Sequence, residues 1–381
     1  MMTKPKILFL FSDTGGGHRS ASEAIIEALN LEFPDQFETE MIDIFREYAP
    51  LPLNYAPEIY PKLSKMPKMW GIGYKVSDGL RQTKMIYKAL MPYVRLSLQR
   101  LLYDHPSDLI VSVHQLVNIP LVNVKEIDYP RFVTVVTDLV STHVAWYDNG
   151  ADFIIVPTIK AAEKAISLGV SPDKVKVIGQ PIAEKYTLPP QDEDLLREKF
   201  GWKKNIPTIL MVGGGEGMGP LAEHAFAINR AKLDVQLIIV AGRNEELKHH
   251  LETHQWNIPV TVYGFVKDMP EFMQASNVLI TKAGPGTISE AFIAGLPLIL
   301  YSKMPGQEDG NVTYVVEKNA GVWAPEPSQV VSTLREWLSD PNMMALVSEN
   351  SKKLANPKAT RMIAKELAYQ IELSLKAKPN K

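Results

Sequence analysis

The 381-residue chain contains no cysteine. This absence excludes disulfide bonds, cysteine-ligated zinc and thiol nucleophiles, and it is compatible with a cytoplasmic protein. An excess of charge of one sign is missing too, since 41 Lys and Arg face 43 Asp and Glu, for a net charge of −2. No whole-protein attraction to nucleic acid is expected, so any electrostatic binding must be local.

Long apolar runs are also missing. The N-terminal run covers only residues 7–11, which predicts a first strand rather than a signal peptide. The best candidate for a membrane span, residues 109–124, is about four residues short of the roughly twenty that a bilayer requires. It also contains His114 and Gln115. We therefore expect no membrane-spanning segment.

Several short catalytic motifs are absent. Three glycine-rich turns occur, at 15–17, 213–219 and 284–286, but no Walker A lysine follows any of them. The dinucleotide fingerprint fails because Ser20 stands where its third glycine belongs, although Asp43 has the spacing of a ribose-binding acid; a dehydrogenase stays an alternative. Nucleophile-elbow, HExxH and EF-hand patterns are missing as well, which leaves no dedicated metal site.

Strand and helix patterns do alternate along the chain, in two runs. The length favours two domains, and the alternation predicts that each is a doubly wound α/β domain with a parallel sheet. We place the domains at 1–187 and 192–355, joined by a linker that contains Pro189-Pro190. The segment 356–381 is expected to be a helix that packs back on the first domain. Predicted strands cover 6–11, 38–45, 109–113, 132–137, 153–156, 176–178, 208–212, 236–240, 260–263, 278–280 and 298–301.

The stretch 278–311 combines a strand, a Gly-Pro-Gly turn, a helix start and a polar loop. Thr287 and Glu290 have capping-box spacing, as do Ser20 and Glu23 after the first glycine turn. Free N–H groups at such helix starts bind anions, and glycine lets the anion approach closely. The stretch therefore predicts a phosphate cradle. The alternative is an ordinary strand–turn–helix unit in which Glu290 only caps its own helix.

Residues 46–103 interrupt this alternation. Between Ile59 and Tyr103, nine Lys and Arg face a single acid, Asp78, and aromatic and Met side chains lie among them. This mixture is typical of a surface that enters the headgroup region of an anionic membrane. A solvated basic helix pair with its aromatics in the core is the alternative. Single-stranded nucleic acid is also permitted, but no RNA-binding signature supports it.

His18 directly follows the first glycine turn. Histidine can accept a proton near neutral pH, so His18 is a candidate general base; alternatively, it shields the start of the helix. His114 and Asp138 follow two predicted strands, at the edge where open α/β sheets bind ligands. For these two residues, packing or hydrogen bonding is the favoured role.

These motifs together resemble family 28 glycosyltransferases (GT28) of the GT-B fold, in which two Rossmann-like domains face a cleft. The closest branch is that of the monogalactosyldiacylglycerol synthases. The resemblance covers nearly the whole chain and rests on the segments 12–19, 111–114, 136–138, 213–220, 242–244, 281–287 and 305–311.

The resemblance implies an enzyme that transfers a sugar from a UDP-sugar to diacylglycerol with inversion, without metal or other cofactor. His18 becomes the base, and Asp138 orients it or the acceptor. The implied donor site comprises Gly17, Gly214, Gly215, Glu216, Gly217, Arg243, Phe265, Lys282, Ala283, Gly284, Pro285, Gly286, Thr287, Glu290, Gln307, Glu308, Asp309, Gly310 and Asn311. The implied acceptor and membrane residues are His114, Lys62, Lys65, Lys68 and Trp70.

Within this family the form Gly-Gln-Glu-x-Gly-Asn resembles plant-type galactosyl enzymes, which favours UDP-galactose. UDP-glucose with the same acceptor is one alternative. A UDP-N-acetylglucosamine-type epimerase of the same fold is another, and a non-enzymatic lipid-binding protein is a third. We expect a cytoplasmic protein attached peripherally to the inner face of the cell membrane, with no nucleic-acid partner.

Overall fold

The computed structural model describes residues 4–14, 16–59, 66–124 and 129–377. Its contacts divide the chain into two units. The first unit comprises 1–184, 305–307 and 358–381, and the second comprises 185–304 and 308–357. The division falls at Glu184, slightly before the predicted linker, and the C-terminal helix belongs to the first unit.

In the described part of the first unit, six strands form one parallel sheet in the order β2-β1-β3-β4-β5-β6. Every strand pair recorded for this sheet is parallel. The central strands are fully buried because helices cover both faces of a parallel sheet. The strands are β1 Lys6–Phe11, β2 Glu38–Asp43, β3 Leu109–Ser112, β4 Arg131–Val135, β5 Phe153–Val156 and β6 Val175–Val177.

Helices of the first unit pack on the two faces of this sheet and give two apolar core clusters. The C-terminal helix lies against α1 and the sheet, where Arg361 binds Glu184 and Glu32 at 2.6 and 2.9 Å. The helices are α1 Gly17–Glu32, α2 Ile44–Tyr48, α3 Pro67–Ser77, α4 Leu80–Asp104, α5 Gln115–Val124, α6 Ile159–Ser167 and α15 Ala359–Ala377.

The second unit repeats this architecture. Six parallel strands of its described chain have the order β12-β11-β10-β7-β8-β9. They are β7 Thr208–Val212, β8 Gln236–Val240, β9 Val260–Tyr263, β10 Val278–Lys282, β11 Leu298–Ser302 and β12 Gly321–Trp323. The helices are α7 Glu193–Phe200, α8 Leu221–Ala231, α9 Glu245–Glu252, α10 Met269–Gln274, α11 Pro285–Ala294, α12 Asp309–Glu317, α13 Pro327–Ser339 and α14 Pro341–Lys353. The predicted α/β class with two parallel sheets is confirmed, while the cleft stays a prediction.

The predicted strand 38–45 is wrong at its end. The strand stops at Asp43, whose carboxylate accepts hydrogen bonds from the backbone N–H groups of Phe45 and Arg46 and so caps α2. The same carboxylate accepts from the N–H of Asp13 at 3.1 Å. Capping residues fix a helix start in this way. Asp43 is therefore occupied by backbone groups rather than placed as a ribose-binding acid.

Both predicted capping boxes are also wrong. Helix α1 begins at Gly17 because Gly16 adopts a left-handed conformation with φ 76°, and Ser20 already donates to the Gly16 carbonyl at 3.1 Å. Helix α11 begins at Pro285, a favoured first residue. Thr287 thus lies inside the first turn of α11 and cannot cap it. Glycine and proline, with their backbone preferences, start both helices earlier than the side-chain pattern suggests.

Within the described ranges, no helix is both long enough and apolar enough to cross a membrane.

Candidate functional site

His18 lies in the first turn of α1, at the edge of the first unit where β1, β3 and β4 end. Its Nδ1 is 2.7 Å from the carbonyl oxygen of Val113. A carbonyl oxygen only accepts hydrogen bonds, so Nδ1 carries the proton and donates it. Thr137 Oγ1 lies 3.1 Å from the same nitrogen. Nε2 is therefore the nitrogen with a lone pair available to take a proton.

Burial keeps this imidazole neutral. Desolvation lowers the pKa of His18 to about 4, and the hydrogen bond to the Val113 carbonyl opposes that shift. A histidine that stays unprotonated at neutral pH is in the form that a general base requires. His18 is thus fixed in tautomer and in charge by groups that come from other strand ends.

His114 packs edge-on against His18, with the ring centroids 4.5 Å apart. The N–H of Leu116 donates to its Nδ1 at 3.4 Å, so its Nε2 carries a proton toward Thr14 Oγ1 at 3.2 Å. Burial, with the neighbouring His18 charge as a second cause, puts the pKa of His114 well below its usual value. Both ring nitrogens are occupied and the side chain is buried. His114 is therefore held by packing and hydrogen bonds beside His18, and its predicted role toward the acceptor stays a prediction.

Asp138 is buried at the end of β4. Its Oδ2 accepts from the indole N–H of Trp146 at 2.7 Å, and its Oδ1 accepts from the Gln307 amide at 3.2 Å. The Trp146 ring in turn lies 6.3 Å from the His18 ring. Asp138 thus anchors Trp146 beside His18, and Gln307, predicted for the donor site, groups here with the first unit.

In the second unit, the loop after β7 meets Lys282 at the end of β10. Gly214 has φ 74°, and a Cβ there would lie 3.1 Å from Lys282 Cε. The Lys282 ammonium pairs with Glu308 at 2.8 Å, and Glu308 also accepts from the N–H of Met304 at 2.8 Å. Gly217 is required as glycine, because a Cβ there would lie 2.1 Å from the Ala241 carbonyl oxygen. The ends of β7, β8 and β10 therefore lie together, and Lys282 lies against the glycine loop 213–217.

The start of α11 lies beside this lysine. A Cβ at Gly284 would be 3.2 Å from Lys282 Nζ, whereas one at Gly286 would meet nothing within 4 Å. Ile288 donates the first intrahelical bond, to Gly284 at 3.1 Å. The N–H groups of Gly286 and Thr287 precede that bond and lack an intrahelical partner. Open space, free donors and a cation meet here, as an anion site requires.

The polar loop after β11 is tied to the same turn. Asn311 is buried, and its amide donates to the Ala283 carbonyl at 2.9 Å. Asp309 pairs with Lys303 at 2.9 Å. Gly310 lies between them in the first turn of α12. The loop predicted to hold a sugar is thus fixed beside the predicted phosphate turn.

Arg243 and Phe265 form a separate edge of the second unit. The Arg243 guanidinium lies 4.4 Å from the Phe265 ring centroid and pairs with Glu216 at 2.8 Å. Phe265 is 55% exposed, so its ring is available to a flat ligand. Gly215, whose carbonyl accepts from the N–H of Arg243 at 2.9 Å, connects this edge to the glycine loop.

Glu290, in the second turn of α11, is not a helix cap. Its side chain hydrogen-bonds the hydroxyl of Tyr186, three residues before Pro189-Pro190. Burial raises the pKa of Glu290 to about 7, while the Tyr186 hydroxyl and the charge of Lys185 oppose that shift. The sequence did not indicate Tyr186 as a partner of Glu290, because the prolines that follow it are typical of a linker.

The sequence also did not indicate the two partners of His18 Nδ1, Thr137 and the Val113 carbonyl, because neither belongs to a recognisable motif.

The basic-aromatic segment of the first unit surrounds an apolar cavity of about 530 Å³. Lys68 is exposed and Trp70 lines the cavity, while Lys62 and Lys65 lie outside the described residues. Large apolar side chains of α3 and α4 also face outward, among them Met69, Ile72, Val76, Met85 and Leu96. The aromatic side chains are divided, since Tyr74 and Tyr87 are buried whereas Tyr93 and Tyr103 are exposed, so the alternative of a solvated helix pair with its aromatics in the core holds for only some of them.

Two aromatic rings, those of Phe45 and His114, connect the cavity wall to His18. Phe45 lines the cavity, and its ring lies 5.6 Å from the His114 ring, which contacts His18. Its wall also contains the Tyr87 hydroxyl and Gln115 Oε1, for which the described residues offer no hydrogen-bond partner. An apolar space with a few unpaired polar atoms is typical of a ligand pocket.

Among the residues with described positions, no three His, Cys, Asp or Glu side chains are grouped so that they could hold a metal ion. The prediction that the chain uses no metal or other cofactor is not tested by this observation.

Two family models match the chain. The model described as monogalactosyldiacylglycerol (MGDG) synthase matches residues 18–182. The model described as glycosyltransferase family 28 C-terminal domain matches residues 208–367. The first match begins at His18, and the second spans the glycine loop, Lys282 and the loop to Asn311.

Curated relatives cover nearly all of the chain. "Probable monogalactosyldiacylglycerol synthase 2, chloroplastic" of Oryza sativa subsp. indica is 36% identical over 373 residues, which are 95% of this chain and 80% of the relative. "Monogalactosyldiacylglycerol synthase, chloroplastic" of Spinacia oleracea is 35% identical over 374 residues, or 95% of this chain and 72% of the relative.

Solved structures show the same fold at low sequence identity. S. aureus MnaA, in a co-structure with UDP, has a TM-score of 0.65 and 18% identity over 99% of both chains. Acinetobacter baumannii MurG has a TM-score of 0.62 and 13% identity over 96% of this chain and all of its own. The GT-B fold is thus confirmed. With one-third identity over 95% of its length to named synthases, the chain belongs to the monogalactosyldiacylglycerol synthase family of family 28 hexosyltransferases.

Proposed function

We propose that the chain transfers galactose from UDP-galactose to the free hydroxyl of 1,2-diacylglycerol, with inversion, to give β-monogalactosyldiacylglycerol. The observation that carries the choice of reaction is the similarity to named monogalactosyldiacylglycerol synthases over 95% of the chain. The local form of residues 306–311, Gly-Gln-Glu-Asp-Gly-Asn, supports galactose as the transferred sugar.

The second unit supplies the donor groups in this proposal. The N–H groups of Gly286 and Thr287 bind the diphosphate, and Lys282 lies beside them. Positive charge at this position stabilises the negative charge that develops on the leaving UDP. Glu308 and Asn311 hold the sugar hydroxyls, and Phe265 contributes to uracil binding.

The first unit supplies the base. Nε2 of His18 removes the proton of the acceptor hydroxyl as that oxygen attacks the anomeric carbon, and the bond from this carbon to the diphosphate oxygen breaks. Attack opposite the leaving group inverts the α-linked donor to a β-glycoside. The Val113 carbonyl, 2.7 Å from Nδ1, then stabilises the imidazolium. The proton ends on His18 and the electron pair on UDP, so the step balances.

The cavity beneath α3 and α4 supplies the acceptor site. Its lining is almost entirely apolar, as an acyl chain requires. The unpaired Tyr87 hydroxyl can donate to an ester carbonyl of the lipid. The Phe45 ring on the cavity wall lies against His114, which contacts His18, so an acyl chain in the cavity leaves the glycerol hydroxyl on the side of the base.

The exposed faces of α3 and α4 supply membrane attachment. Ile72 and Val76 are 66% and 61% exposed, and the exposed lysines Lys68, Lys75 and Lys84 belong to the same two helices. Apolar side chains with basic neighbours bind anionic bilayers by insertion and charge attraction together. We place this contact at the inner face of the cell membrane.

The donor is tested by supplying diacylglycerol vesicles with each UDP-sugar in turn and identifying the product. We expect β-galactolipid from UDP-galactose and at least tenfold less product from UDP-glucose, a difference of about 1.4 kcal/mol in transition-state binding. Glycolipid from UDP-glucose alone would contradict the galactose assignment. Isomerised sugar nucleotide without lipid product would replace the transferase with an epimerase.

Replacing the base tests the chemistry. His18→Ala should lower kcat by about 10²- to 10⁴-fold, the range for loss of general base catalysis, while UDP binds with unchanged affinity because His18 lies in the other unit. Turnover with diacylglycerol and UDP binding by calorimetry are measured side by side. His249→Ala, at an exposed histidine of the second unit, serves as the matched control. Near-normal turnover of His18→Ala would remove it from the base role.

Filling the cavity mouth tests the acceptor site. Gly73 lines the cavity, and a Cβ there meets nothing within 4 Å. Gly73→Phe should therefore be accommodated and should lower kcat/KM for long-chain diacylglycerol by about tenfold, since every 1.4 kcal/mol of lost binding is tenfold. UDP affinity should not change, and Gly73→Ala is the control. Equal kcat/KM in Gly73→Phe and wild type would place the acyl chain elsewhere.

Reversing charge on α3 and α4 tests membrane attachment. The triple variant Lys68→Glu, Lys75→Glu, Lys84→Glu should bind anionic vesicles on the order of a hundredfold more weakly, at about 1 kcal/mol per lysine. Lys232→Glu, Lys318→Glu, Lys353→Glu makes the same charge change at exposed positions of the second unit. Vesicle flotation measures both. Equal binding by the two triples would make the segment an ordinary solvated basic surface.

A further inference from the structure

Tyr186 and Glu290 form a pair that the reaction as proposed above does not use. Tyr186 ends the short turn Glu184–Tyr186 at the start of the second unit. Its hydroxyl hydrogen-bonds the carboxylate of Glu290 on α11. Lys185 is fixed next to it, because its ammonium donates to the Lys267 carbonyl at 2.9 Å. A tyrosine of the connecting segment is therefore held against a carboxylate of the donor helix.

Glu290 has a defined position relative to the anion site. It follows Thr287 by three residues on α11, and residues three apart share a helix face. Three residues rise about 4.5 Å along the helix axis, and helical side chains lean toward the N-terminus. The Glu290 side chain therefore lies on the face that leads to the free N–H groups, within reach of a group bonded covalently to a phosphate held there. In a nucleoside diphosphate that group is the ribose.

The family resemblance already implies that Glu290 binds the donor. We propose in addition that Tyr186 is a positioning residue: its hydroxyl orients the Glu290 carboxylate toward the ribose hydroxyls, from which the carboxylate accepts hydrogen bonds. The proposal rests on the proposed function, which supplies a uridine nucleotide at this helix. A carboxylate has about four lone-pair directions on its two oxygens. One bond from Tyr186 fixes the group and leaves directions free for the ribose.

The environment of Glu290 makes this contact depend on pH. Burial raises its pKa to about 7, and the Tyr186 hydroxyl and Lys185 are the groups that stabilise its charged form. Helices α10 and α14 also pack on α11. Glu271 of α10 pairs with Lys199, and Lys352 of α14 lies across Gly295. Above pH 7 Glu290 is charged and accepts strongly from hydroxyls; below pH 7 it gains a proton and accepts weakly.

Comparing UDP with 2′-deoxy-UDP measures the ribose contact alone, because the two ligands share uracil and diphosphate and titrate alike. The measured quantity is the ratio of the two Kd values, by calorimetry, between pH 6 and pH 8.5. In wild type we expect 2′-deoxy-UDP to bind about tenfold more weakly at pH 8, as for loss of a hydrogen bond to a charged group. The ratio should fall severalfold by pH 6.

Tyr186→Phe removes only the hydroxyl. We expect its ratio at pH 8 to fall severalfold and the midpoint of the pH profile to move above that of wild type, because a group that stabilised the charged carboxylate is gone. Glu290→Gln should give a low ratio that does not change with pH. Tyr369→Phe, at an exposed tyrosine of α15, is the matched control and should behave as wild type.

If Tyr186→Phe had the same Kd ratio and the same pH midpoint as wild type, the inference would be overturned. A Kd ratio in the wild-type protein that stayed constant from pH 6 to pH 8.5 would also overturn it, and that measurement does not depend on a variant that folds. If wild type does not bind UDP at all, the proposed donor fails and this inference fails with it. If UDP binds but the ratio of the two Kd values is the same with and without the Tyr186 hydroxyl, the proposed function stands and the inference alone fails.

Discussion

Parallel strand pairing is the constraint on which both candidate sites, one in each unit, depend. β1 pairs in register with β3, and β3 with β4, so the carboxyl ends of three strands lie at one edge. The residues after those ends are His18, Val113 and Thr137, far apart in sequence. Backbone hydrogen bonds between the strands thus bring the imidazole to the carbonyl that fixes its proton.

The same constraint operates in the second unit with different chemistry. β7 pairs with β10 and β10 with β11, so the glycine loop, Lys282 and the turn of α11 share one edge. Here the groups that meet are a cation, a carboxylate and free N–H donors. One architecture, used twice, therefore gives a neutral proton acceptor in one unit and an anion-binding turn in the other.

Burial shifts the pKa of one group in each unit, in opposite directions. Desolvation disfavours a charged group of either sign, so it lowers the pKa of His18 and raises that of Glu290. His18 consequently stays neutral across the physiological range, whereas Glu290 titrates within it. We therefore expect small pH changes to leave the charge of the candidate base unaltered and to change the charge of Glu290, on the helix proposed to hold ribose.

Most strands and their order along the chain could be predicted from the sequence, because fully buried parallel strands are short apolar runs between turn signals. The run 153–156 was predicted with both ends correct, whereas β12, only three residues long, lacks a run long enough to recognise. Helix starts were placed too late because side-chain capping patterns outweighed the backbone preferences of Gly16 and Pro285.

The sequence by itself determined the α/β class and the family, since residue type and spacing are local properties. Tertiary structure alone decided what each residue contacts. It paired Glu290 with Tyr186, used Asp43 as a cap, and fixed the tautomer of His18 through Val113. These outcomes depend on which strands are neighbours in the sheet and on how deeply each side chain is buried. Neither can be inferred from a short stretch of sequence, because both depend on residues that are distant along the chain.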